Sequence, residues 1–511
     1  MNNLIHKFMK DFAGIIPDEE LKYIYSNLES FFNAVGPEGE PIANSFEVAQ
    51  IKKNLFLYEK KYLPLLEQNI KVSEKLKPDN LFLTVGLQPE PLILSILCLK
   101  PQRVYLLHSE ESRQNANEVA NDPDIKKLNC EFRFAEITEY DASRNYEIIK
   151  EILNSLPKQS KTVFDPTGGR KIMVSSVSLA AFYYRFPMVY MHGKDIKGKT
   201  VPFSERLRII ENPLESYGDI ELQLVEELFN SHFYEAAAKT CDNLLKSTKD
   251  LATSRKIELL KDLISVYSDW DAFKHSKYFE NNQREGRLLS ERLKSVVNDF
   301  KKFNLQNNLP ENVENNIVFL KALDKSFKNS LNIVDEYRIV DIYLNALRKG
   351  TDKQAKYDDG IARLYRCVEM CFTYRLKKDL LIDDVSHPDY NELCKNKGIS
   401  FSELQDRFKK ASRRDLRLGE PLGLDNQVNL LKSFFPDDEM VKIYESMKEK
   451  EIKMRNRSIL AHGTRPSTEE DWRTFKNKTI QIIKLAIGED KFEELAKEKT
   501  GLGWHGKISL K

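Results

Sequence analysis

Short apolar segments alternate with helical segments between residues 79 and 192, and this alternation limits the folds that the chain can adopt. Leu81–Val85 (LFLTV) and Arg103–His108 (RVYLLH) have the composition of buried strands, and Glu90–Leu99 (EPLILSILCL) between them has that of a buried helix. Strands separated by helices of about 10–15 residues form βαβ units, in which the strands lie parallel in one sheet. We therefore predict an α/β domain with a mostly parallel sheet.

The same alternation continues to residue 192. Further strands are predicted at Glu131–Ile137, Thr162–Phe164 and Met188–His192, and further helices at 110–121, Ser143–Leu156 and Arg170–Arg185. In a parallel sheet, ligands bind beyond the carboxyl ends of the strands, near the point where the strand order reverses. The loops that follow the strands are therefore the place to look for a binding site.

The rest of the chain has only helical periodicity. Residues 1–77 are amphipathic, with Gly36–Pro41 (GPEGEP) as the clearest break, and no strand pattern follows Pro213. Lys349–Asp352 is a plausible joint. The predicted fold class is thus α/β plus all-α. Its four regions are a helical N-terminal extension (1–78), the α/β domain (79–213), a helical linker domain (214–350) and a C-terminal α-helical domain (351–511).

Charge and cysteine usage exclude several classes of protein. The 511 residues include 80 Lys+Arg and 78 Asp+Glu, a net charge of +2, so any contact with nucleic acid must be local. No C-x-x-C pair occurs. A metal site formed by Cys367, Cys371, His387 and Cys394 is possible in sequence, but buried cysteine thiols are the better interpretation. The longest uncharged stretch, Ile172–Tyr184, is too short to cross a membrane. We expect a cytoplasmic protein with no membrane partner and no metal.

Two loops after predicted strands have features of a phosphate site. Glycines ahead of a helix allow backbone N–H groups to approach an anion, and the helix dipole favours it. Side chains nearby could supply a hydroxyl, a cation or contacts to a base or ribose. The candidate binding residues are Gly86, Leu87, Gln88, Ser109, Thr167, Gly168, Gly169, Arg170 and Lys171. Two ordinary tight βα turns are the alternative, and the absence of G-x-G-x-x-G disfavours a nicotinamide or flavin enzyme.

Gly193–Thr200 (GKDIKGKT) matches the P-loop pattern G-x-x-x-x-G-K-[ST]. In a P-loop a helix begins at the Lys-Thr pair, so that its N-terminus faces the phosphates. Here Pro202 follows and disfavours a helical conformation at Val201. We predict a glycine-rich hairpin turn with exposed lysines.

A basic segment near the C-terminus places a histidine close in sequence to two arginines. It contains Arg455, Asn456, Arg457, Ser458 and His462. In a helix, Arg455 and His462 would share a face, Ser458 would adjoin His462, and the following glycine would suit the helix end. A histidine beside arginines can carry out acid–base catalysis while a guanidinium stabilises a developing phosphorane. Taken alone, the pattern fits a solvated basic turn with a capping histidine better.

An α/β domain with the glycine loops, followed by the basic C-terminal motif, resembles the CARF–HEPN ancillary ribonucleases of type III CRISPR systems. The resemblance covers about residues 79–511. Asp165–Lys171 (DPTGGRK) resembles the family's threonine-glycine-glycine signature, and Thr84–Pro89 resembles its first ligand loop. Ala362–Glu369 resembles the helix that opens the HEPN domain, and Arg455–His462 matches that domain's R-x(4–6)-H signature. The last motif is short, and the combination is far more specific than either part.

The resemblance implies a function for each domain. The α/β domain would be a Rossmann-like CARF domain that binds cyclic tetra- or hexa-adenylate as an activator through the nine loop residues. The C-terminal HEPN domain would cleave single-stranded RNA without a metal or other cofactor, leaving 2′,3′-cyclic phosphate and 5′-hydroxyl ends. Two HEPN domains of a homodimer would form one composite site, in keeping with the two-fold symmetry of most homo-oligomers.

Several points stay open at this stage. Either Arg455 or Arg457 suits the arginine of the signature, and Arg170 stands where the family commonly has a smaller polar residue. The ring size, the base preference, degradation of the activator by the CARF domain and the role of residues 1–78 are also undecided. The alternatives are a cyclic-nucleotide sensor or adaptor with a non-catalytic dimerisation domain, and a P-loop NTPase that uses Lys199.

Overall fold

The computed structural model describes residues 2–35, 45–196, 199–274, 288–329 and 333–510. They form two compact units, Met1–Gly218 and Asp219–Lys511. The first is an α/β unit and the second is helical, which confirms the predicted fold class. The predicted break at Gly36–Pro41 lies within residues 36–44, outside the described ranges. No helix in the described residues has the length and apolar run needed to cross a membrane.

The first unit is built from strands β1–β8 and helices α1–α10. Its strands are β1 Asn80–Thr84, β2 Arg103–His108, β3 Glu131–Glu136, β4 Thr162–Asp165, β5 Met188–His192, β6 Asp195–Ile196, β7 Lys199–Thr200 and β8 Arg206–Ile210. Its helices are α1 Asn2–Met9, α2 Asp18–Val35, α3 Ser45–Tyr62, α4 Glu67–Leu76, α5 Glu90–Leu99, α6 Arg113–Asn121, α7 Pro123–Lys126, α8 Ala142–Ser155, α9 Lys171–Tyr183 and α10 Pro213–Tyr217.

The strand order of the main sheet places two loops beside each other. The order is β3-β2-β1-β4-β5-β8, and the first five strands are parallel. From β1 the chain continues to β2 and β3 on one side of the sheet, and then returns to β4 on the other side of β1. The strand order therefore reverses between β1 and β4. Leu83 of β1 pairs with Asp165 of β4, so the loops after both strands leave the same edge. This is the position at which parallel sheets bind ligands.

Helices cover both faces of the sheet. On one face α8 and α9 pack on an apolar cluster that includes Phe82 and Phe164. On the other face α5 packs on Leu83, and the same cluster continues into the N-terminal helices through Phe31 and Leu55. The N-terminal helices are therefore part of the core of the first unit and share its hydrophobic stabilisation.

One strand of the sheet has no counterpart in the sequence prediction. β8 pairs with β5 in antiparallel register and closes the edge of the sheet. Its residues include Arg206 and Arg208, whose charges interrupt the apolar run expected of a buried strand. N-terminal residues hold this segment: Asn69 Oδ1 accepts a hydrogen bond from Leu207 N (2.9 Å), and Arg206 pairs with Asp11 (2.7 Å).

The second unit consists of helices α11–α24. They are α11 Asp219–Asn230, α12 Tyr234–Ser247, α13 Leu251–Asp271, α14 Leu289–Lys302, α15 Val313–Asn329, α16 Glu336–Lys349, α17 Tyr357–Leu380, α18 Tyr390–Lys397, α19 Phe401–Ser412, α20 Leu424–Phe434, α21 Glu439–Met447, α22 Lys453–Asn456, α23 Glu469–Ile487 and α24 Glu489–Ala496. A π-helical turn, Lys448–Ile452, joins α21 to α22.

Helix α17 lies at the centre of the C-terminal half of this unit and packs against α16, α20 and α23. Its contact with α23 requires a glycine, because a Cβ at Gly360 would lie 2.6 Å from Cζ3 of Trp472. A single apolar core runs from Leu222 to Leu510. The helical middle and the C-terminal helices are thus one packed body.

After α24 the chain returns along the helices of the middle region. Asparagine side chains bind its backbone: Asn316 Nδ2 donates to the carbonyl oxygens of Leu502 (3.0 Å) and Trp504 (2.8 Å), and Asn230 Nδ2 donates to that of Ile508 (3.0 Å). His505, within this segment, is buried. The C-terminal residues therefore stabilise the start of the second unit as well as its end.

Candidate functional sites

The loops after β1 and β4 touch through their backbones at the reversal point of the sheet. A Cβ at Gly86 would lie 2.6 Å from Gly169 N, and a Cβ at Gly168 would lie 2.5 Å from Thr84 O. Gly169 has φ +92°, a conformation that side chains disfavour. These glycines are needed because any side chain would push the two loops apart.

Asp165, the last residue of β4, holds the loop after β4 through hydrogen bonds to its carboxylate. Its carboxylate accepts hydrogen bonds from Ser95 Oγ, from Thr167 N (2.9 Å) and from Thr167 Oγ1. Burial raises its pKa to about 6, although these donors act in the opposite direction. Thr167 Oγ1 also accepts a hydrogen bond from Met191 N (2.9 Å). The threonine hydroxyl therefore donates one hydrogen bond to Asp165 and accepts one from the backbone of β5.

A cavity of about 350 Å³ lies where the two loops meet. It is lined by eight of the nine residues predicted from the sequence, namely Gly86, Leu87, Gln88, Ser109, Thr167, Gly168, Gly169 and Arg170. The ninth, Lys171, begins α9 and is exposed outside the cavity wall. The backbone N–H groups at the start of α9 and the glycine loops make this cleft suitable for an anion.

Sequence reasoning missed two acidic residues in this cleft. Glu111 and Glu139 follow β2 and β3 and line the cavity beside Arg170. The guanidinium of Arg170 forms ion pairs with both, and its Nε lies 2.9 Å from Glu139 Oε2. Ser109 Oγ donates to Glu139 Oε1 (2.8 Å). Their position directly after predicted strands was the available signal, because the loops after parallel strands converge at one edge.

The P-loop look-alike forms a hairpin in its described residues. β6 and β7 pair in antiparallel register, Asp195 with Thr200 and Ile196 with Lys199. Residues 197 and 198, which include the second glycine of the pattern, lie outside the described ranges. Because Lys199 lies in a strand, it does not begin a helix that could face a phosphate, which agrees with the predicted hairpin and removes the basis for a P-loop NTPase.

The basic C-terminal motif begins at a helix end and continues as a closed loop. Helix α22 ends at Asn456, so the helical spacing expected for the residues up to His462 is wrong. His462 N instead donates to Asn456 O (3.2 Å), and Gly463 N donates to Ser458 O (3.1 Å). A Cβ at Gly463 would lie 1.9 Å from Arg457 O, so the glycine is required for loop closure rather than for a helix end. Tertiary contacts here override the helical pattern.

The residues of this motif have different environments. Arg455 is half-buried, its guanidinium lies 4.3 Å from the Tyr365 ring centre, and its Nη1 donates to Asn456 Oδ1 (3.1 Å). Arg457 and His462 are exposed, whereas Ser458 is buried. Through the Asn456 carbonyl, the loop brings the backbone of His462 back to the helix that carries Arg455.

Two contacts outside the motif hold it in place. The buried carboxylate of Glu451, in the π-helical turn, pairs with Lys478 Nζ of α23 (3.0 Å). The Asp358 carboxylate of α17 accepts hydrogen bonds from Ser467 N and from Ser467 Oγ (2.7 Å) after the loop. The segment between residues 451 and 467 is therefore anchored at both ends to the core helices of the second unit.

Comparison with known proteins gives the family. A model of the Csm6 6H domain matches residues 217–320, and a model of the Csm6 HEPN domain matches residues 329–486, which contain the Arg455–His462 motif. Together they cover more than half of the chain. The chain belongs to the Csm6 family. The C-terminal part of the second unit is thus a HEPN domain, and the resemblance found in the sequence is confirmed.

Individual relatives are distant. The CRISPR system endoribonuclease Csm6 of Thermus thermophilus is 25% identical over 253 residues, 48% of this chain and 51% of the relative. The alignment thus spans about half the length of that Csm6. Among solved structures, Enterococcus italicus Csm6 bound to cyclic hexa-2′-fluoro-hexa-dAMP is 14% identical and has a TM-score of 0.47, over 82% of this chain and 96% of the other. Can2 from Sulfobacillus thermosulfidooxidans in complex with cyclic tetra-adenylate is also 14% identical and has a TM-score of 0.23, over 40% and 67%.

Proposed function

We propose that this Csm6-family protein is an endoribonuclease that cleaves single-stranded RNA when cyclic tetra- or hexa-adenylate binds to its first unit. The observation that carries the proposal is the position of the Arg455–His462 motif. It lies inside the residues that match the HEPN domain, and its loop closes through a hydrogen bond from His462 N to Asn456 O. The first unit would be the CARF domain, with the cleft between the β1 and β4 loops as its activator site.

The proposed chemistry needs no metal and no cofactor. His462 removes the proton of a ribose 2′-hydroxyl, whose oxygen attacks the adjacent phosphorus as the bond to the 5′-oxygen breaks. The leaving 5′-oxygen takes up a proton from water, and His462 returns its own proton to the solvent. The products are a 2′,3′-cyclic phosphate and a 5′-hydroxyl. Arg455 stabilises the negative charge on the phosphorane, and Asn456 orients the guanidinium through their hydrogen bond.

We assign the complete site to a homodimer. Ile459 and Leu460 are adjacent in the motif loop and 55% and 51% exposed, so their burial against another surface would be favourable. A second copy of the loop, related by two-fold symmetry, would cover these side chains and bring a second histidine and arginine to the same phosphodiester.

The activator would bind in the cleft of the first unit. The glycine loops, the N-terminus of α9 and Arg170 suit the phosphates of a cyclic oligoadenylate, and a ring with two-fold symmetry suits a cleft shared by two protomers. Activation requires that the ligand bind the active arrangement more tightly than the inactive one, and a 100-fold bias corresponds to about 2.7 kcal/mol.

A cleavage assay tests the proposal. Full-length protein is mixed with fluorescently labelled single-stranded RNA and EDTA, with no ring, with cyclic tetra-adenylate, or with cyclic hexa-adenylate. We expect cleavage with at least one ring, and His462→Ala should abolish it while leaving the affinity for the ring unchanged. Tight ring binding without cleavage would instead indicate a sensor with a non-catalytic dimerisation domain. No binding and no cleavage with either ring would refute the proposal.

A further inference from the structure

The proposed activator cleft contains more negative than positive side-chain charge. Arg170 is the single cation among the residues that line the cavity, and Glu111 and Glu139 line it as well. The two glutamates differ in exposure, since the Glu111 side chain is 61% exposed and that of Glu139 is 7% exposed. Exposed ion pairs contribute little free energy, so a ligand phosphate can displace Glu111 from Arg170. Glu139 is buried and stays.

One carboxylate oxygen of Glu139 is left with an unused acceptor position. Ser109 Oγ donates to Oε1 (2.8 Å), but Oε2 is buried and receives no hydrogen bond from the residues that the structure describes. Arg170 Nε lies 2.9 Å away and compensates its charge without being aligned to donate. A buried acceptor without a donor costs free energy. In a cavity wall, such an atom is suited to a donor supplied by the ligand.

The chemistry of the ligand identifies that donor. A phosphate has no proton to give at neutral pH and would be repelled by the carboxylate. The adenine amino group stands beside a ring-nitrogen acceptor, and this pair is matched better by an amide, which can donate as well as accept. A ribose 2′-hydroxyl is a single donor, and it lies next to the 3′-phosphate of the same nucleotide. The adjacent Glu139 and Arg170 match this pair of groups, one for the hydroxyl and one for the phosphate.

We propose that Glu139 is a specificity-determining residue of the cleft, whose carboxylate accepts a hydrogen bond from a ribose 2′-hydroxyl of the activator and so selects an RNA ring. This inference rests on the proposed function, because it takes a cyclic oligoadenylate as the ligand. Glu139 would distinguish a ring with 2′-hydroxyl groups from rings that lack them but have the same bases and phosphates.

Binding measurements with three kinds of ring test it. The affinities of full-length protein for cyclic tetra- and hexa-adenylate are compared with those for the 2′-deoxy and 2′-fluoro counterparts, which cannot donate a hydrogen bond at that position. A hydrogen bond to a charged group predicts that the wild type binds the ribose ring about tenfold or more tightly than either counterpart. In Glu139→Gln the preference should fall well below that of the wild type, because a neutral amide oxygen is a weaker acceptor.

Glu111→Gln is the matched control. It makes the same chemical change on the other partner of Arg170, and the preference for the ribose ring should persist. Glu139→Met, which removes the acceptor but keeps the side-chain length, provides a second variant if Glu139→Gln does not fold, as judged by its thermal unfolding. Equal binding of all three rings by the wild type, or an undiminished preference in the folded Glu139 variants, would overturn the role of Glu139 alone. Failure of the wild type to bind any ring would overturn the proposed function and this inference with it.

Discussion

The guanidinium carbon of Arg455 lies 4.3 Å from the centre of the Tyr365 ring. This contact joins the Arg455–His462 motif to α17. It also distinguishes Arg455 from Arg457, which the sequence alone could not do. Arg455 is held by the ring and by Asn456, whereas Arg457 is exposed at the start of the loop. A guanidinium that is already fixed loses less entropy when it binds a transition state, and this favours Arg455 as the catalytic arginine.

The first prediction compares the two arginines directly. Removal of a preorganised donor to a developing oxyanion typically lowers kcat by about 100- to 1,000-fold, and we expect a loss of that size in Arg455→Ala. Arg457→Ala makes the same change two residues away and should lower kcat far less. Single-turnover cleavage of labelled RNA with saturating activator measures both rates. Equal losses in the two variants would contradict the assignment.

The second prediction concerns Tyr365 as a positioning residue. A cation–π contact contributes about 0.5–2 kcal/mol, so Tyr365→Leu should lower kcat by about two- to thirtyfold. Tyr365→Phe keeps the ring face and should keep most of the activity. Because the ring acts on the orientation of Arg455 and not on RNA binding, the loss should appear in kcat with little change in KM. A loss in KM alone would indicate an RNA contact instead.

The fold of the first unit was largely predictable because its pattern is local. Apolar strands such as Leu81–Val85 alternate with helices over short distances, and each βαβ unit leaves its own trace in the sequence. Strand β8 was missed for a physical reason. It lies at the sheet edge, carries Arg206 and Arg208, and depends on pairing with β5 and on contacts from the N-terminal helices.

The candidate sites were predictable in composition but not in geometry. The glycine loops were recognised because short motifs encode them, and eight of the nine predicted residues line one cavity. Glu139 was missed because only the strand order brings the loop after β3 against Arg170. The motif loop was expected to be helical, since local spacing does not report that Asn456 O accepts the His462 N–H or that Gly463 closes against Arg457.

The third prediction tests the asparagines that hold the C-terminal segment. Asn316 is fully buried, and its Nδ2 donates to two carbonyl oxygens, while its Oδ1 accepts from Tyr267 Oη (2.7 Å). Asn316→Asp keeps the acceptor, removes both donors and buries a carboxylate beside two carbonyl groups. We expect the free energy of unfolding of the second unit to fall by about 3–5 kcal/mol.

Urea unfolding followed by tryptophan fluorescence measures this change. All three tryptophans, Trp270, Trp472 and Trp504, belong to the second unit, so their fluorescence reports on it selectively. Asn315→Asp is the matched control, because Asn315 is only half-buried and donates a long hydrogen bond of 3.3 Å to Thr500 O. It should change the stability by no more than about 0.5 kcal/mol. Similar losses in both variants would mean that the segment is not held by Asn316.

The last prediction concerns the pH dependence of the same unit. His232 and His505 lie on either side of the Tyr234 hydroxyl, at 2.9 and 2.8 Å from it through their Nδ1 atoms. Burial lowers the pKa of His232 to about 3 and that of His505 well below its usual range, and the positive charge of Arg348 acts in the same direction. Both histidines are therefore neutral in the folded protein at neutral pH.

The sign of the effect follows from proton uptake on unfolding. In the unfolded chain both histidines titrate near pH 6.5, so below that pH the unfolded state binds more protons than the folded state. Their contribution to stability is complete above pH 6.5 and is lost as the pH falls toward the folded-state values, by up to about 1.4 kcal/mol per pH unit for each histidine.

Urea unfolding at a series of pH values between about 7.5 and 5, read by tryptophan fluorescence, should show this slope. His505→Phe should reduce the slope by about one proton, whereas His387→Phe, which removes a side chain that is 87% exposed, should leave it as in the wild type. A slope that is unchanged in His505→Phe would show that this histidine does not take up a proton when the unit unfolds.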